Sequence, residues 1–286
     1  MNLRREAINA LWTLLPGSST VSIAGRRYRI PLQRGFDRRL LAADREPWLD
    51  PILQQTCGSQ GAVLLDAGAN CGQTLVRAKA ANPRLRYFGF EPNPACAGYV
   101  QRLIERNHLP DCAVYACALG ASPALGQLFT ANPADPSATT IANFRGAATG
   151  TKIVSILIER GDDVVARLAI ERLDLIKIDV EGAEAAVLAG LAQTIARFRP
   201  AIACEVLSSH HVGHPSHELR RRSKEDIGRL LAELGYRLFG IAGRARIAVD
   251  ALSEAYRNYL FLPAAETMRS TSAVVERPAA KRNDRT

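Results

Sequence analysis

The segment Val63-Leu64-Leu65-Asp66-Ala67-Gly68-Ala69-Asn70-Cys71-Gly72 constrains the fold more than any other part of the chain: an apolar run stops at an acid and opens into small residues. A strand covered on both faces is a short, continuous run of Val and Leu, whereas a half-exposed strand alternates with polar residues. The segment therefore predicts a buried parallel strand that turns sharply into a helix from about Gln73. Gly68 and Gly72 allow the turn and the close backbone approach that a Cβ obstructs. The free N–H groups of that helix point toward the strand's carboxyl end, where open α/β sheets bind ligands.

What is missing narrows the ligand. A dinucleotide fingerprint needs three glycines, but Asn70 stands in the second place and no third glycine follows. A pyrophosphate is poorly served by such a loop. Instead, Asp66 ends the first strand and Glu91 ends the next apolar run, Tyr87-Phe88-Gly89-Phe90. An acid in that second place accepts both hydroxyls of a ribose. Two carboxylates suit an adenosine with a compact cationic tail better than a diphosphate, a description that fits S-adenosyl-L-methionine.

The stretch from Asp66 to Gly72, then Glu91-Pro92-Asn93-Pro94, then Ile176-Lys177-Ile178-Asp179-Val180-Glu181-Gly182-Ala183-Glu184, resembles the FkbM-type branch of the class I S-adenosylmethionine-dependent methyltransferases over about residues 61–206. The resemblance implies a Rossmann-like α/β fold: a seven-stranded, mostly parallel sheet with one antiparallel edge strand and helices on both faces. It implies S-adenosylmethionine as cofactor, held by Asp66, Gly68, Asn70, Gly72, Glu91, Pro92 and Asn93, with the adenine at the end of the third strand near Ala118. It also implies O-methylation chemistry.

The 286 residues, 47% of them hydrophobic, suffice for one large α/β domain with additions. The net charge of +9 is unevenly spread: nine Arg against five acids in residues 1–60 give +4, and five bases against two acids from Met268 onward give +3. Only +2 remains for the 207 residues between. A basic nucleic-acid groove through the central domain is therefore disfavoured. The six cysteines lack C-x-x-C or metal spacing and read as reduced thiols, consistent with a cytoplasmic protein. No apolar run approaches the roughly 18 residues of a membrane span, and the amino terminus makes a poor secretory signal.

The predicted organisation is an N-terminal cap (1–60), a cofactor-binding domain (61–263) and a basic tail (264–286) whose composition predicts disorder. In the cap, Ile8, Leu11, Trp12 and Leu15 mark one apolar helix face, suited to the core or to peripheral contact with a membrane surface beside Arg4 and Arg5. Val21 to Ile30 alternates around Gly25 like a hairpin, and Trp48 to Gln55 reads as a short helix. Asn93 caps a helix from Pro94 to about Arg106. Ala113–Ala118 is the third strand, Gly120–Gly150 an insertion, and Ile153–Ile158 a further strand before a short helix at Asp162-Asp163. Leu173–Val180 and Ala201–Val206 are the fourth and fifth strands around one helix, Ala183–Phe198. Ser223 is placed as the cap of a helix to Leu234, and Tyr236–Ile241 pairs with Tyr256–Leu262 in antiparallel fashion.

Methyl transfer to a hydroxyl needs an in-line geometry and a base. Lys177, Asp179 and Glu181, spaced by two, share a face if the strand persists. Asp179 and Glu181 then serve as base, acceptor-binding groups or metal ligands, or else pair Lys177 and cap the next helix. Glu205 ends the neighbouring strand, either in the site or in an ion pair. No metal is expected, since no imidazole joins these acids in the strands. His210 and His211 open a histidine-rich loop after the fifth strand, where one imidazole suits a general base and the alternative is a solvated polar loop. Arg220-Arg221-Arg222 with Lys224 reads as a solvated face or an anionic-acceptor contact.

The expected function is S-adenosylmethionine-dependent O-methylation of a hydroxyl on a small molecule, sugar or glycan. The Asp179-Val180-Glu181-Gly182 stretch lacks the Pro-Pro-aromatic signature of amino methylation of bases, so no nucleic-acid partner is expected. Two other readings remain open: an NAD-dependent oxidoreductase, undercut by the missing glycine, and a non-catalytic adenosine-binding or partner module on the same fold.

Overall fold

The computed structural model describes residues 18–33, 36, 46–142, 144, 150–209 and 213–264. The helix expected around Ile8–Leu15, the pair His210 and His211, and nearly all of the basic tail lie outside the described residues.

The chain opens with an antiparallel ribbon, β1 (Ser18–Ile23) and β2 (Arg26–Pro31), turned by Ala24 and Gly25, both at positive φ. Helix α1 (Leu49–Cys57) follows. The strand β3 (Val63–Ala67), the helix α2 (Gln73–Ala81), the strand β4 (Arg86–Phe90), the helix α3 (Pro94–Arg106) and the strand β5 (Cys112–Tyr115) then wind the first half of the sheet. A three-stranded insert of β6 (Ala118–Gly120), β7 (Ala124–Thr130) and β8 (Lys152–Arg160) precedes α4 (Gly161–Arg167). The second half comprises β9 (Leu175–Ile178), α5 (Glu184–Gly190), α6 (Ala192–Phe198), β10 (Ala201–Glu205), α7 (His217–Glu233), β11 (Tyr236–Ala242), β12 (Ala245–Ala248) and β13 (Asn258–Pro263).

The main sheet runs β12-β11-β13-β10-β9-β3-β4-β5. The chain order reverses between β3 and β9, which is the switch point where such sheets bind ligands. Strands β10, β9, β3, β4 and β5 are parallel, and β13 is antiparallel to its neighbours β10 and β11. The sheet is thus largely parallel, with two differences from expectation. It has eight strands rather than seven, because the Gly243-Arg244 turn returns β12 onto β11. The expected antiparallel edge strand is β12, and a second reversed strand, β13, lies inside the sheet between β10 and β11.

Period-two alternation sorts the strand residues between two apolar layers. Leu64, Tyr87, Leu175 and Ala203 join α1, α2, α3 and the β1–β2 ribbon in one core cluster, while Val63, Leu65, Ala67, Ile176 and Ile178 join α5, α6 and α7 in the other. The ribbon is pinned by Tyr28, whose hydroxyl donates to the carbonyl of Val76 at 2.7 Å.

Three local expectations are corrected. The single helix over 183–198 is two helices, broken at Leu191. Helix α7 starts at His217, six residues before Ser223, and its first two turns are held by Glu218 pairing with Arg221 and Arg222. Strand β5 stops at Tyr115, and Ala118 starts β6, which pairs with β8 instead of β4.

Candidate active site

The loop after β3 is the floor of the site. Gly68 has φ +88°, and a Cβ there would lie 1.9 Å from the carbonyl oxygen of Asp179, so only glycine lets the β3 and β9 ends approach this closely. The Gly68 and Ala69 N–H groups donate to the Phe90 carbonyl at 2.9 and 3.1 Å, and Asp179 N–H donates to Ala67 at 3.0 Å. Asn70 is also left-handed, at φ +46°, a conformation an asparagine tolerates. Its Oδ1 is buried without a hydrogen-bond partner.

Glu91 locks this loop. Its Oε2 accepts the Asn70 N–H at 2.7 Å and its Oε1 accepts the Asn93 N–H at 2.8 Å. Burial pushes its carboxyl up to about 7, against the lowering effect of those two N–H groups. Glu91, Gly68, Asn70, Pro92 and Ala118 all line one narrow cleft, together with Leu128, Pro136 and Ala138 of the insert. Its charged lining among the described residues is entirely acidic: Glu91, Asp135, Asp179 and Glu181.

The other candidate cofactor residues lie apart from this cleft. Asp66 is fully buried on the opposite face of β3, because it alternates with Leu65 and Ala67 and therefore sides with Leu64. Its Oδ2 accepts the Tyr87 hydroxyl at 2.6 Å, and its Oδ1 lies 3.9 Å from Lys177 Nζ. Burial drives its carboxyl up to about 6. Gly72 is the N-cap of α2 and packs against Leu103. Asn93 caps α3 by accepting from the Ala95 N–H, and its Nδ2 donates to Pro133. These three hold the scaffold of the cleft rather than its surface.

Lys177, Asp179 and Glu205 do share a face. Lys177 pairs in register with Asp66 and with Ala203, so β9 and β10 present Lys177, Asp179 and Glu205 on the α1–α3 side. Lys177 is buried, and its Nζ donates to Asp179 Oδ2 at 3.2 Å. Burial works against its charge, but Asp179, Glu46, Asp66 and Glu205 together hold it above the usual lysine range. Strand β9 ends at Ile178, so Glu181 arrives by a different route: a left-handed turn at φ +53°, tied by Thr139 Oγ1 donating to the Glu181 carbonyl at 2.8 Å. Carboxylate oxygens of Asp179, Glu181 and Glu205 fall within 4.8 Å of one another, the spacing a cation would use. Glu205 accepts from Arg257 Nε at 2.7 Å. Burial and the Asp179 charge push Glu205 up to about 7, with Arg257 opposing.

These acids line a second cavity, which shares Gly68, Asn70, Pro136, Asp179 and Glu181 with the first and adds Glu46, Lys177, Glu205 and Arg257. Asp179 and Glu181 thus stand on the boundary between the two. Sequence reasoning missed Glu46, Asp135 and Arg257, which come from a loop, the insert and the residue just before β13. The one legible hint was the N-P-A-D-P-S run around Asp135, a turn-rich segment inside an otherwise apolar domain. It also missed Glu184, which is buried, accepts the Gly182 N–H at 2.9 Å, and is driven up to about 7 by burial. Among the other histidines, His214 Nδ1 lies 2.9 Å from Ser216 Oγ and serves the start of α7.

A doubly wound, largely parallel sheet with a cleft at its switch point defines an α/β protein of the class I methyltransferase type. The profile of the "Methyltransferase FkbM domain" matches residues 66–238. The chain belongs to the FkbM methyltransferase family. It is 30% identical over 144 residues to "Methyltransferase 1" of Beauveria bassiana, a match covering 45% of this chain and 57% of that protein. It is 30% identical over 155 residues to "Methyltransferase sdnD" of Sordaria araneosa, covering 45% of this chain and 60% of that protein. The chain thus spans less than two thirds of either relative. Among solved structures, it is similar to methyltransferase FkbM from Methylobacillus flagellatus (15% identity, TM-score 0.44, 71% of this chain and 43% of that one). It is also similar to an O-methyltransferase from Bacillus cereus in complex with SAH (15% identity, TM-score 0.45, 78% of this chain and 84% of that one). Among the described residues, no helix is long and apolar enough to cross a membrane.

Proposed function

We propose that the chain is an S-adenosylmethionine-dependent O-methyltransferase acting on a hydroxyl of a small molecule, sugar or glycan. The observation that carries this reading is the pair of adjoining cavities with Asp179 and Glu181 on their boundary.

The first cavity fits the cofactor's chemistry. Its charged lining is acidic, which suits a sulfonium and an ammonium and repels a diphosphate. Glu91 lies where a ribose diol is bound, Asn70 offers a buried oxygen still lacking a donor, and Ala118 and Leu119 with Phe90 form an apolar slot for the adenine. The same acidity disfavours an NAD-dependent oxidoreductase. Bound there, S-adenosylmethionine supplies an electrophilic methyl group.

The chain's own residues then orient and deprotonate the acceptor. Asp179 lines both cavities and would accept the proton of an acceptor hydroxyl held beside the methyl donor. Lys177, 3.2 Å away, fixes the carboxylate's direction and balances its charge. Glu181 and Glu205 hydrogen-bond the acceptor. The chemistry is assigned to these carboxylates without a metal, because Lys177 and Arg257 already pair two of the three.

Calorimetry and thermal shift with S-adenosylmethionine, S-adenosylhomocysteine and NAD test the reading. Binding and a raised Tm are expected with the first two only, and turnover is expected to withstand EDTA. Stabilisation by NAD alone sinks the proposal.

A further inference from the structure

The second cavity has a composition that restricts what enters it. It measures about 360 Å³, within the range of a small-molecule site. Its carboxylates are Glu46, Asp179, Glu181 and Glu205, and its cations are Lys177 and Arg257, leaving two more negative than positive side chains among the described residues. Both cations are already engaged, Lys177 by Asp179 and Arg257 by Glu205. Gln73, Thr74 and Ser137 add neutral hydrogen-bonding groups, and the apolar lining amounts to Gly68, Ala69 and Pro136.

Sites for flat or greasy ligands are lined mostly by hydrophobic and aromatic side chains. No aromatic ring stands among the described lining residues here, so a phenol or an acyl chain finds neither a stacking face nor an apolar wall. A hydroxyl-rich molecule finds carboxylates at several points around it, and O–H···carboxylate bonds are short and about twice as strong as neutral ones. A phosphate or carboxylate on that molecule meets like charge in a partly desolvated pocket, which disfavours its entry.

We propose, on the basis of the methyltransferase reading above, that the methyl acceptor is a hydroxyl-rich compound of the sugar class that carries no phosphate or carboxylate, gripped by Glu46 together with the clustered carboxylates of Asp179, Glu181 and Glu205. Glu46 acts here as a specificity residue: it comes from the segment before α1 and lines this cavity but not the cofactor cleft. The first cavity thus selects a cationic donor, and the second rejects anionic acceptors.

The test uses the full-length chain loaded with S-adenosylmethionine and follows release of S-adenosylhomocysteine. The probes are methyl glycosides of several hexoses and 6-deoxyhexoses, their 6-phosphate and uronic acid counterparts, and catechol. Turnover of at least one neutral glycoside is expected, with its anionic counterpart at least about tenfold slower. In Glu46→Lys this gap should narrow, and in Glu46→Gln the glycoside KM should rise while cofactor Kd stays as in wild type. Preference for a phosphorylated or carboxylated sugar, turnover of catechol alone, or no turnover of any glycoside by protein that binds S-adenosylhomocysteine overturns the acceptor assignment. Absence of cofactor binding by folded protein overturns the methyltransferase reading instead.

Discussion

The two cavities that meet at Asp179 and Glu181 are built on different principles. The cofactor cleft is made largely of backbone turns at strand ends: Gly68 to Asn70 after β3, Glu91 and Pro92 after β4, Asp179 to Glu181 after β9. Each is a short stretch whose shape is fixed by hydrogen bonds between neighbouring strands. The second cavity, proposed for the acceptor, relies on long charged side chains, with Glu46 before α1, Lys177 in β9, Glu205 in β10 and Arg257 just before β13. A site made of backbone is rigid and can serve one invariant ligand. A site made of side chains drawn from positions more than 200 residues apart in sequence can be re-tuned one position at a time.

The sharpest way to break this contrast is at Gly68. Alanine there places a methyl 1.9 Å from the Asp179 carbonyl at φ +88°, so β3 and β9 must part at the centre of the sheet. Gly68→Ala is expected to cost about 3 kcal/mol or more and to abolish cofactor binding. Gly25→Ala provides the control, since that position has φ +78° but nothing within 4 Å of a new Cβ. The control should cost only about 1–2 kcal/mol. Urea denaturation with and without S-adenosylhomocysteine measures both, and equal costs would show that close approach at Gly68 matters no more than its φ.

The next effect separates chemistry from binding. Asp179→Asn keeps the shape of the boundary but removes the proton acceptor, so kcat should fall by roughly 10²- to 10⁴-fold. Cofactor Kd should change far less, because Glu91 and the loop backbone remain. Single-turnover kinetics at saturating cofactor reads the first, and calorimetry the second. A loss carried wholly by Kd would move Asp179 from the acceptor reaction to the cofactor site.

The same contrast explains what could be read in the sequence. The floor of the cofactor cleft was legible because it is local: an apolar run, an acid, and small residues at turn positions leave few alternatives. Asp66 shows the limit of that reading. The strand runs one residue beyond it, through Ala67, and the pleat turns Asp66 toward Tyr87 and Lys177, so only the register of β3 against β4 and β9 fixes which face it takes. Glu181 shows another, since spacing by two assumes a strand that has already ended, and a left-handed turn does the placing instead. Glu46 and Arg257 left no pattern at all. Isolated charges in loops acquire a role only when tertiary structure brings them to the same cavity.

The smallest effect sharpens the role of Glu91, the backbone clamp of the first cavity. Glu91→Gln retains the acceptor for one N–H but loses the charge that binds a diol, so cofactor Kd should rise about tenfold or more while kcat at saturation is kept. The pH dependence carries a second signature. Burial raises Glu91 from an ordinary 4.5 to about 7, so between those values the folded protein holds a proton that the unfolded chain has released. The Glu91 contribution to stability without cofactor is then fully present below about 4.5 and declines as pH rises toward 7. Asp66, Glu184 and Glu205 are raised in the same direction and add to the slope. Replacing Glu91 by an uncharged glutamine should flatten that decline, leaving the share of the other three carboxyls. Cofactor binding by the wild type should run the opposite way, weakening as pH falls below 7 because the diol is held best by the ionised carboxylate. Melting curves from pH 4.5 to 7.5, with and without S-adenosylhomocysteine, record both slopes, and a cofactor affinity independent of pH in the wild type would remove Glu91 from the diol.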